Sequence, residues 1–154
     1  DCLLSRGLGD VYKRQLENAD FIRYGVMHRN TYINSPELLN HAFQLKKEPR
    51  LFFAGQMTGV EGYLESAASG LMVGLQVDRY LEEQPFIEFP KTTAIGSLSH
   101  YISNYEGSNF QPMNVNFGIM ESWSQKVRKK KEKNALIANR ALEDLDALKA
   151  KENL

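Results

Sequence analysis

Residues 51–74, LFFAGQMTGVEGYLESAASGLMVG, contain the passage whose reading decides the fold. Leu51-Phe52-Phe53-Ala54 is a continuous apolar run, the pattern of a strand buried on both faces. Pro49 precedes it and Gly55 ends it. The next residues, QMTGVEG, carry glycines at 59 and 62, which supply backbone angles other residues resist and let a ligand approach closely. From Tyr63 to about Glu83 the spacing predicts one long helix. Ala67, Gly70 and Gly74 fall three and four apart, so they share a face of it. An interior glycine weakens a helix by roughly 1 kcal/mol relative to alanine, so tight backbone packing is expected along that face. A strand ending in a glycine-rich turn that opens a helix gathers free N–H groups and the positive end of the helix dipole at one point. Anionic groups bind well there. The spacing is not the G-x-G-x-x-G dinucleotide fingerprint. On the residues alone two readings stay open: a ligand-binding turn, or a plain αβ corner with packing glycines.

Working outward, FIRYGVMHRNTYI at 21–33 is rich in aromatic and β-branched residues and reads as extended. Ser35-Pro36 starts a short helix, SPELLN, with Glu37 in its first turn. Gln84-Pro85 closes the long helix. Thr92 or Thr93 caps a further helix running through Ile95, Leu98, Tyr101 and Ile102. GSNFQPMNVNF at 107–117 is polar, aromatic and turn-like. From Trp123 onward the chain is charged and helix-favouring, with Leu136, Ile137, Ala141, Leu142, Leu145 and Leu148 as an apolar stripe. Within it QKVRKKKEK sets Lys126, Arg128, Lys129, Lys130, Lys131 and Lys133 against Glu132. Such a run is either a solvated helix surface or a set of phosphate contacts.

A length of 154 residues suits one domain, and 42% apolar with 25% charged residues is ordinary for a globular protein. The 19 basic and 19 acidic side chains cancel, so overall charge does not point to a nucleic acid. No apolar run approaches the ~18 residues of a membrane span, and the opening lacks the apolar core and cleavage site of a signal peptide. A single cysteine, Cys2, allows no internal disulfide, and a reducing, cytoplasmic setting is expected. His41 and His100 have no metal-ligand spacing with each other or with Cys2, and no metal is expected. Glu61 and Glu65 share a helical face without forming a paired-carboxylate site. Trp123, Phe110 and Phe117 either pack in the core or stack on bases.

Three stretches, RYGVMHRNTYINSP from Arg23, LFFAGQMTGVEGYLESAASGL from Leu51 and FQPMNVNFG from Phe110, carry a family resemblance. Residue 16 to about residue 148 resembles the C-terminal region of the folate- and FAD-dependent tRNA (uracil-5-)-methyltransferases, which methylate the T-loop uridine. The middle stretch is shared more loosely with a sister family, the flavoproteins that modify the wobble uridine of tRNA. The first and third point to the methyltransferases. The resemblance implies an α/β fold: part of an FAD-binding, Rossmann-like domain (strand, glycine-rich turn, long helix) at 16–90, then a helical C-terminal extension at 91–154. Residues 1–15 match nothing in the family and are expected to be a non-native leader of adaptor or read-end origin.

The resemblance also assigns roles. Gly55, Gln56, Thr58, Gly59, Val60, Gly62 and Tyr63 are implied to lie against FAD, with the helix N-terminus aimed at the flavin pyrimidine edge. His28 is implied to stack on the pterin of methylenetetrahydrofolate, with Arg29 and Asn30 beside it. Core packing for the histidine and carbonyl bonding for the arginine are the other readings. Arg128, Lys129, Lys130 and Lys131 are the candidate tRNA contacts, and NADH or NADPH is the implied reductant. The family's N-terminal FAD fingerprint and its nucleophilic cysteine lie upstream of the matched region, and Cys2 lies outside it. No catalytic residue is therefore expected in this chain, which is read as an inactive piece of the enzyme with apolar surface left exposed. A rival from another class is a non-catalytic RNA-binding module built on the lysine-rich helix.

Overall fold

Helices dominate residues 31–154, which are those that the computed structural model describes and which make up one compact unit. Helix α1 spans Ser35–Leu38, α2 Tyr63–Leu81, α3 Ala94–Asn104 and α4 Lys130–Glu152, and a 3-10 turn at Gly55–Thr58 precedes α2. The expectations for residues 1–15 and for His28, Arg29 and Asn30 lie outside the described residues.

The long helix runs as its spacing requires. The helix after Pro90 is capped by Thr93, whose hydroxyl accepts from the Gly96 N–H at 3.0 Å. Thr92 instead bonds Asp144 on α4. Helix α3 is the most enclosed element, with Leu98 and Ile102 in the core and Ser97, Ser99 and Ser103 buried beside them. Those serines turn their hydroxyls back to carbonyls: Ser97 to Ala94, Ser103 to Ser99, and Ser99 across to His41 at 2.7 Å. Buried polar groups demand such partners. Leu39, Phe43, Val60, Met72, Leu98, Ile102 and Phe110 form the core cluster, drawn from five separate parts of the chain. Within α2, Gln76 acts as a stand-in strand for the segment beyond the helix: its amide donates to the Ile87 carbonyl and accepts from the Ile87 N–H, both at 2.8 Å.

Three expectations need correction. Residues 51–54 do not form a strand buried on both faces: Leu51 is half exposed, Ala54 exposed, and pairing is confined to an isolated antiparallel bridge, Gln44 to Phe52. A doubly buried strand needs a neighbour on each side, and among the described residues only 43–45 supply one. The α/β reading is therefore visible here only as a turn opening a helix, with isolated bridges in place of a sheet. Among the described residues, the small-residue face of α2 is also uncovered. A Cβ built on Gly70 or Gly74 meets nothing within 4 Å, and Leu64, Leu71 and Leu81 on the same side are 80%, 66% and 72% exposed. Finally, the helix expected from Trp123 begins only at Lys130. The stretch before it is tied against the side of α4, where Arg140 bonds the carbonyls of Glu121 and Ser122 and lies over Trp123, so the chain does not run on along the helix axis there. Of the predicted stripe, Ile137 and Leu148 are buried, while Leu142 stands 62% exposed.

Candidate functional site

The glycine-rich turn is assembled from four distant segments. Its backbone takes positive φ at Gly55 (70°), Gly59 (91°) and Gly62 (97°). Internally, the Thr58 hydroxyl donates to the Gly55 carbonyl at 2.7 Å and the Gly59 N–H to the Gln56 carbonyl at 3.0 Å. From upstream, Ser35 donates its hydroxyl to the Thr58 carbonyl at 2.7 Å, and Ile33 donates its N–H to the Met57 carbonyl at 2.9 Å. From α2, the Ser69 hydroxyl accepts the Gly55 N–H at 2.8 Å. From downstream, Met113 forms a parallel bridge with Val60: its N–H donates to the Gly59 carbonyl at 2.9 Å, and its carbonyl accepts from Glu61 at 3.1 Å.

Gly59 has no alternative. A Cβ there would stand 2.5 Å from Cζ of Phe110, a ring itself buried in the core. Phe110 in turn packs on Tyr32, Tyr101 and Tyr105, with centroids 5.8–6.1 Å away. Ends or parts of all three stretches singled out in the sequence thus meet at one place: Tyr32 to Ser35, residues 55–62, and Phe110 to Met113.

The seven turn residues divide into two sets. Thr58, Gly59 and Val60 face inward and are buried. Gln56, Gly62 and Tyr63 face outward with Met57 and Leu64, Tyr63 fully exposed and Gly55 half-buried between the sets. The first intrahelical bond of α2 is Ser66 N–H to the Gly62 carbonyl at 3.0 Å, so the N–H groups of Tyr63, Leu64 and Glu65 precede the ladder and point out of the helix end. Gly62 is the N-cap and supplies no side-chain acceptor. The Glu65 carboxylate folds back over Gly62 instead, its Oε2 lying 2.1 Å from where a Cβ would stand. An acid there suits the positive helix end. It is also the flexible tip of a side chain and can turn outward when another acceptor arrives.

The basic run straddles the start of α4. Lys126, Arg128 and Lys129 precede the helix, Lys130 and Lys131 open it, and all five are exposed. Lys129 pairs with Glu132 at 3.1 Å. Just upstream, Trp123 lies under the Arg140 guanidinium, 5.5 Å from the ring centroid, and Arg140 bonds the carbonyls of Glu121 and Ser122. Trp123 is thereby committed to anchoring α4.

Among the described residues no group of three metal-ligating side chains comes together. His41 pairs with Glu88 at 3.0 Å, and His100 has its pKa lowered by burial, then by nearby Lys91. No described helix is long and apolar enough to cross a membrane.

Sequence reasoning missed Ser35, Ser69 and Met113 as the residues that hold the turn. Their roles depend on partners 14 to 54 residues away, which local spacing does not encode. Phe110 was weighed between core packing and base stacking, and the structure buries it.

Comparison with known proteins gives two results. The family model described as GIDA, glucose inhibited division protein A, matches residues 14–85, spanning the first two stretches. Proteins called methylenetetrahydrofolate--tRNA-(uracil-5-)-methyltransferase TrmFO match over 132 residues: one from Streptococcus pyogenes serotype M4 at 59% identity, and two from Streptococcus pneumoniae, strain Hungary19A-6 and serotype 19F, at 58%. In each case 85% of this chain is covered, and it spans about 30% of the length of the relative.

Proposed function

Since this chain belongs by sequence to the TrmFO family, we propose that the whole protein is a folate- and FAD-dependent tRNA (uracil-5-)-methyltransferase acting on the T-loop uridine. The observation that carries the reading is the two-sided turn at 55–63. Its inner residues are locked by the core, and its outer residues leave an apolar, amide-lined face beside a helix N-terminus. Residues 16–90 are read as part of a Rossmann-like FAD- and folate-binding domain and 91–154 as its helical extension. The uncovered face of α2 is then the side on which the rest of that domain packs. Exposed leucines along a helix otherwise mark a contact surface.

The residues present fit a flavin. Gly55, Gln56 and Gly62 offer backbone approach, and Met57 and Tyr63 offer apolar cover. Thr58, Gly59 and Val60 fix the turn's shape from beneath. The N–H groups of Tyr63, Leu64 and Glu65 would face the flavin's electron-rich edge once Glu65 has turned aside. The helix dipole adds about 0.3–1 kcal/mol for a negative charge at that point. When bound, reduced FAD supplies the electrons that complete a methyl group delivered from methylenetetrahydrofolate, with NADH or NADPH as the source of reducing equivalents. His28, Arg29 and Asn30 are assigned to the folate. The chain's own contribution is to orient planar partners and keep water out. Arg128, Lys129, Lys130 and Lys131 form an exposed basic edge for tRNA phosphates.

The test uses the full-length protein: flavin absorbance on purification, and C5 methylation of tRNA uridine dependent on methylenetetrahydrofolate. A colourless protein that refuses added FAD would end this reading. The competitor offered by the middle stretch, the wobble-uridine flavoprotein, is not favoured by the similarity to TrmFO proteins. In a deletion strain, loss of the T-loop methyl group supports the present assignment, and loss of the wobble modification supports the competitor. Strong tRNA binding without flavin would instead leave a non-catalytic RNA-binding module.

A further inference from the structure

A second concave site lies on the far side of the Phe110 ring. Tyr32, Asn34 and Glu37 face Tyr105 and Asn109 across a cleft of about 480 Å³, with Phe110 as a wall between them. That volume falls within the ~300–1,000 Å³ typical of small-ligand sites. Tyr32 meets Phe110 edge-on at 6.1 Å, and Tyr105 is tilted against it at 5.9 Å, so the walls are aromatic and braced from behind. The tip of the same Phe110 ring lies against Gly59 of the glycine-rich turn.

The polar groups define what the cleft takes. Among the described residues its lining includes one carboxylate, Glu37, and no lysine, arginine or histidine, which is the wrong charge for a phosphate. Asn34 and Asn109 each carry a donor and an acceptor, and the hydroxyls of Tyr32, Tyr105 and Ser108 can do both. Asn109 accepts from Gln111 through its oxygen at 2.8 Å, and its NH₂ carries two donors. Aromatic walls with amides and one acid suit a flat, uncharged heterocycle bearing N–H groups and a sugar bearing hydroxyls. That description fits a splayed-out nucleoside, the form in which proteins read single-stranded RNA.

Resting on the tRNA-modifying reading above, we propose that this cleft seats an unstacked nucleoside of the RNA substrate, a neighbour of the base presented at the turn. It acts as a positioning subsite and takes no part in the chemistry. The basic edge at 128–131 holds phosphates, and the cleft holds one base and its ribose.

The experiment is tRNA binding by the full-length flavoprotein at several salt concentrations, comparing the parent with Tyr32→Ala, Tyr32→Phe and Asn109→Ala. Loss of base–aromatic stacking predicts about five- to a hundredfold weaker binding for Tyr32→Ala. Tyr32→Phe keeps the ring and should retain most of the affinity. Asn109→Ala, in an exposed loop, should weaken binding with flavin content and melting temperature unchanged. In all three the slope of log affinity against log salt should match the parent, since no phosphate contact is removed. Parental affinity in both alanine variants would overturn the subsite, and so would a flattened salt slope. If the parent binds no tRNA at all, the tRNA-modifying reading falls first and the subsite with it.

Discussion

The turn at residues 55–62 and helix α4 are held to the same body by different kinds of contact. The turn is pinned by backbone hydrogen bonds from residues 33, 113 and its own interior, by hydroxyls from Ser35 and Ser69, and by a ring pressed against Gly59. Helix α4 buries Ile137 and Leu148 and is otherwise tied by polar groups in its middle and at its C-terminal end: Arg140 to the carbonyls of 121 and 122, Thr92 to Asp144, and Arg79 to Glu152 at 3.0 Å. One region tolerates almost no change of shape. The other can exchange side chains so long as a few ties remain. A cofactor turn has to present atoms at fixed positions, whereas a phosphate-binding edge needs only charge in the right neighbourhood.

The contrast can be broken most severely at Gly59. Gly59→Val forces a branched side chain into left-handed backbone and into the Phe110 ring, so thermal unfolding should show a loss of about 2–6 kcal/mol, strain and overpacking together. A stability within 1 kcal/mol of the parent would mean that the turn is no more rigid than α4. Gly62→Val meets mainly the movable Glu65 carboxylate but still occupies φ 97° and ψ 144°, so about 1–3 kcal/mol is expected. The full-length variant should also lose flavin in its absorbance spectrum; undiminished flavin would detach Gly62 from the cofactor.

On the α4 side the sign should reverse. Lys130→Glu with Lys131→Glu places acids at the positive helix end and should stabilise by about 0.3–1 kcal/mol for each exchange. The same variant should bind tRNA more weakly with a flatter salt dependence. A stable protein with unaltered tRNA binding would leave those lysines as solvated surface.

The smallest effect concerns His100, on α3, the helix packed at the centre of the described residues. Its folded pKa lies below the ordinary 6.5 because burial and then Lys91 disfavour the charged ring. The unfolded chain therefore takes up the proton first as pH falls below about 6.5. Stability should decline slightly from there until the folded-state pKa is passed. His100→Gln should flatten that slope in melts recorded from pH 7.5 to 5; an unchanged slope would assign it to other groups.

Much of this was readable in the chain. Helix α2 starts at the predicted residue because Gly62 precedes a long run of good helix formers, and α3 starts where a threonine can cap it. The family resemblance rested on three stretches, and two results bear it out: identity of 58–59% to TrmFO proteins over 85% of the chain, and a family model reaching from 14 to 85. The errors share a cause. LFFA reads as a doubly buried strand because apolarity records what a segment is able to bury, not what lies beside it in 31–154. Gly70 and Gly74 likewise announce a close neighbour that no described residue supplies. The late start of α4 follows from Arg140 holding the carbonyls of 121 and 122, partners 19 and 18 residues away that local spacing does not record.

From residue order alone came the elements with local causes: the caps, the helix periods, the glycine-rich bend and the family. Which glycine is irreplaceable, which tyrosine walls a cleft, and why residue 113 belongs beside residue 60 became evident only once the chain was folded. Hydrogen bonding and helix periodicity act over a few residues and leave a pattern in the text. Close packing acts between surfaces brought together from anywhere along the chain, and it leaves no mark until they meet.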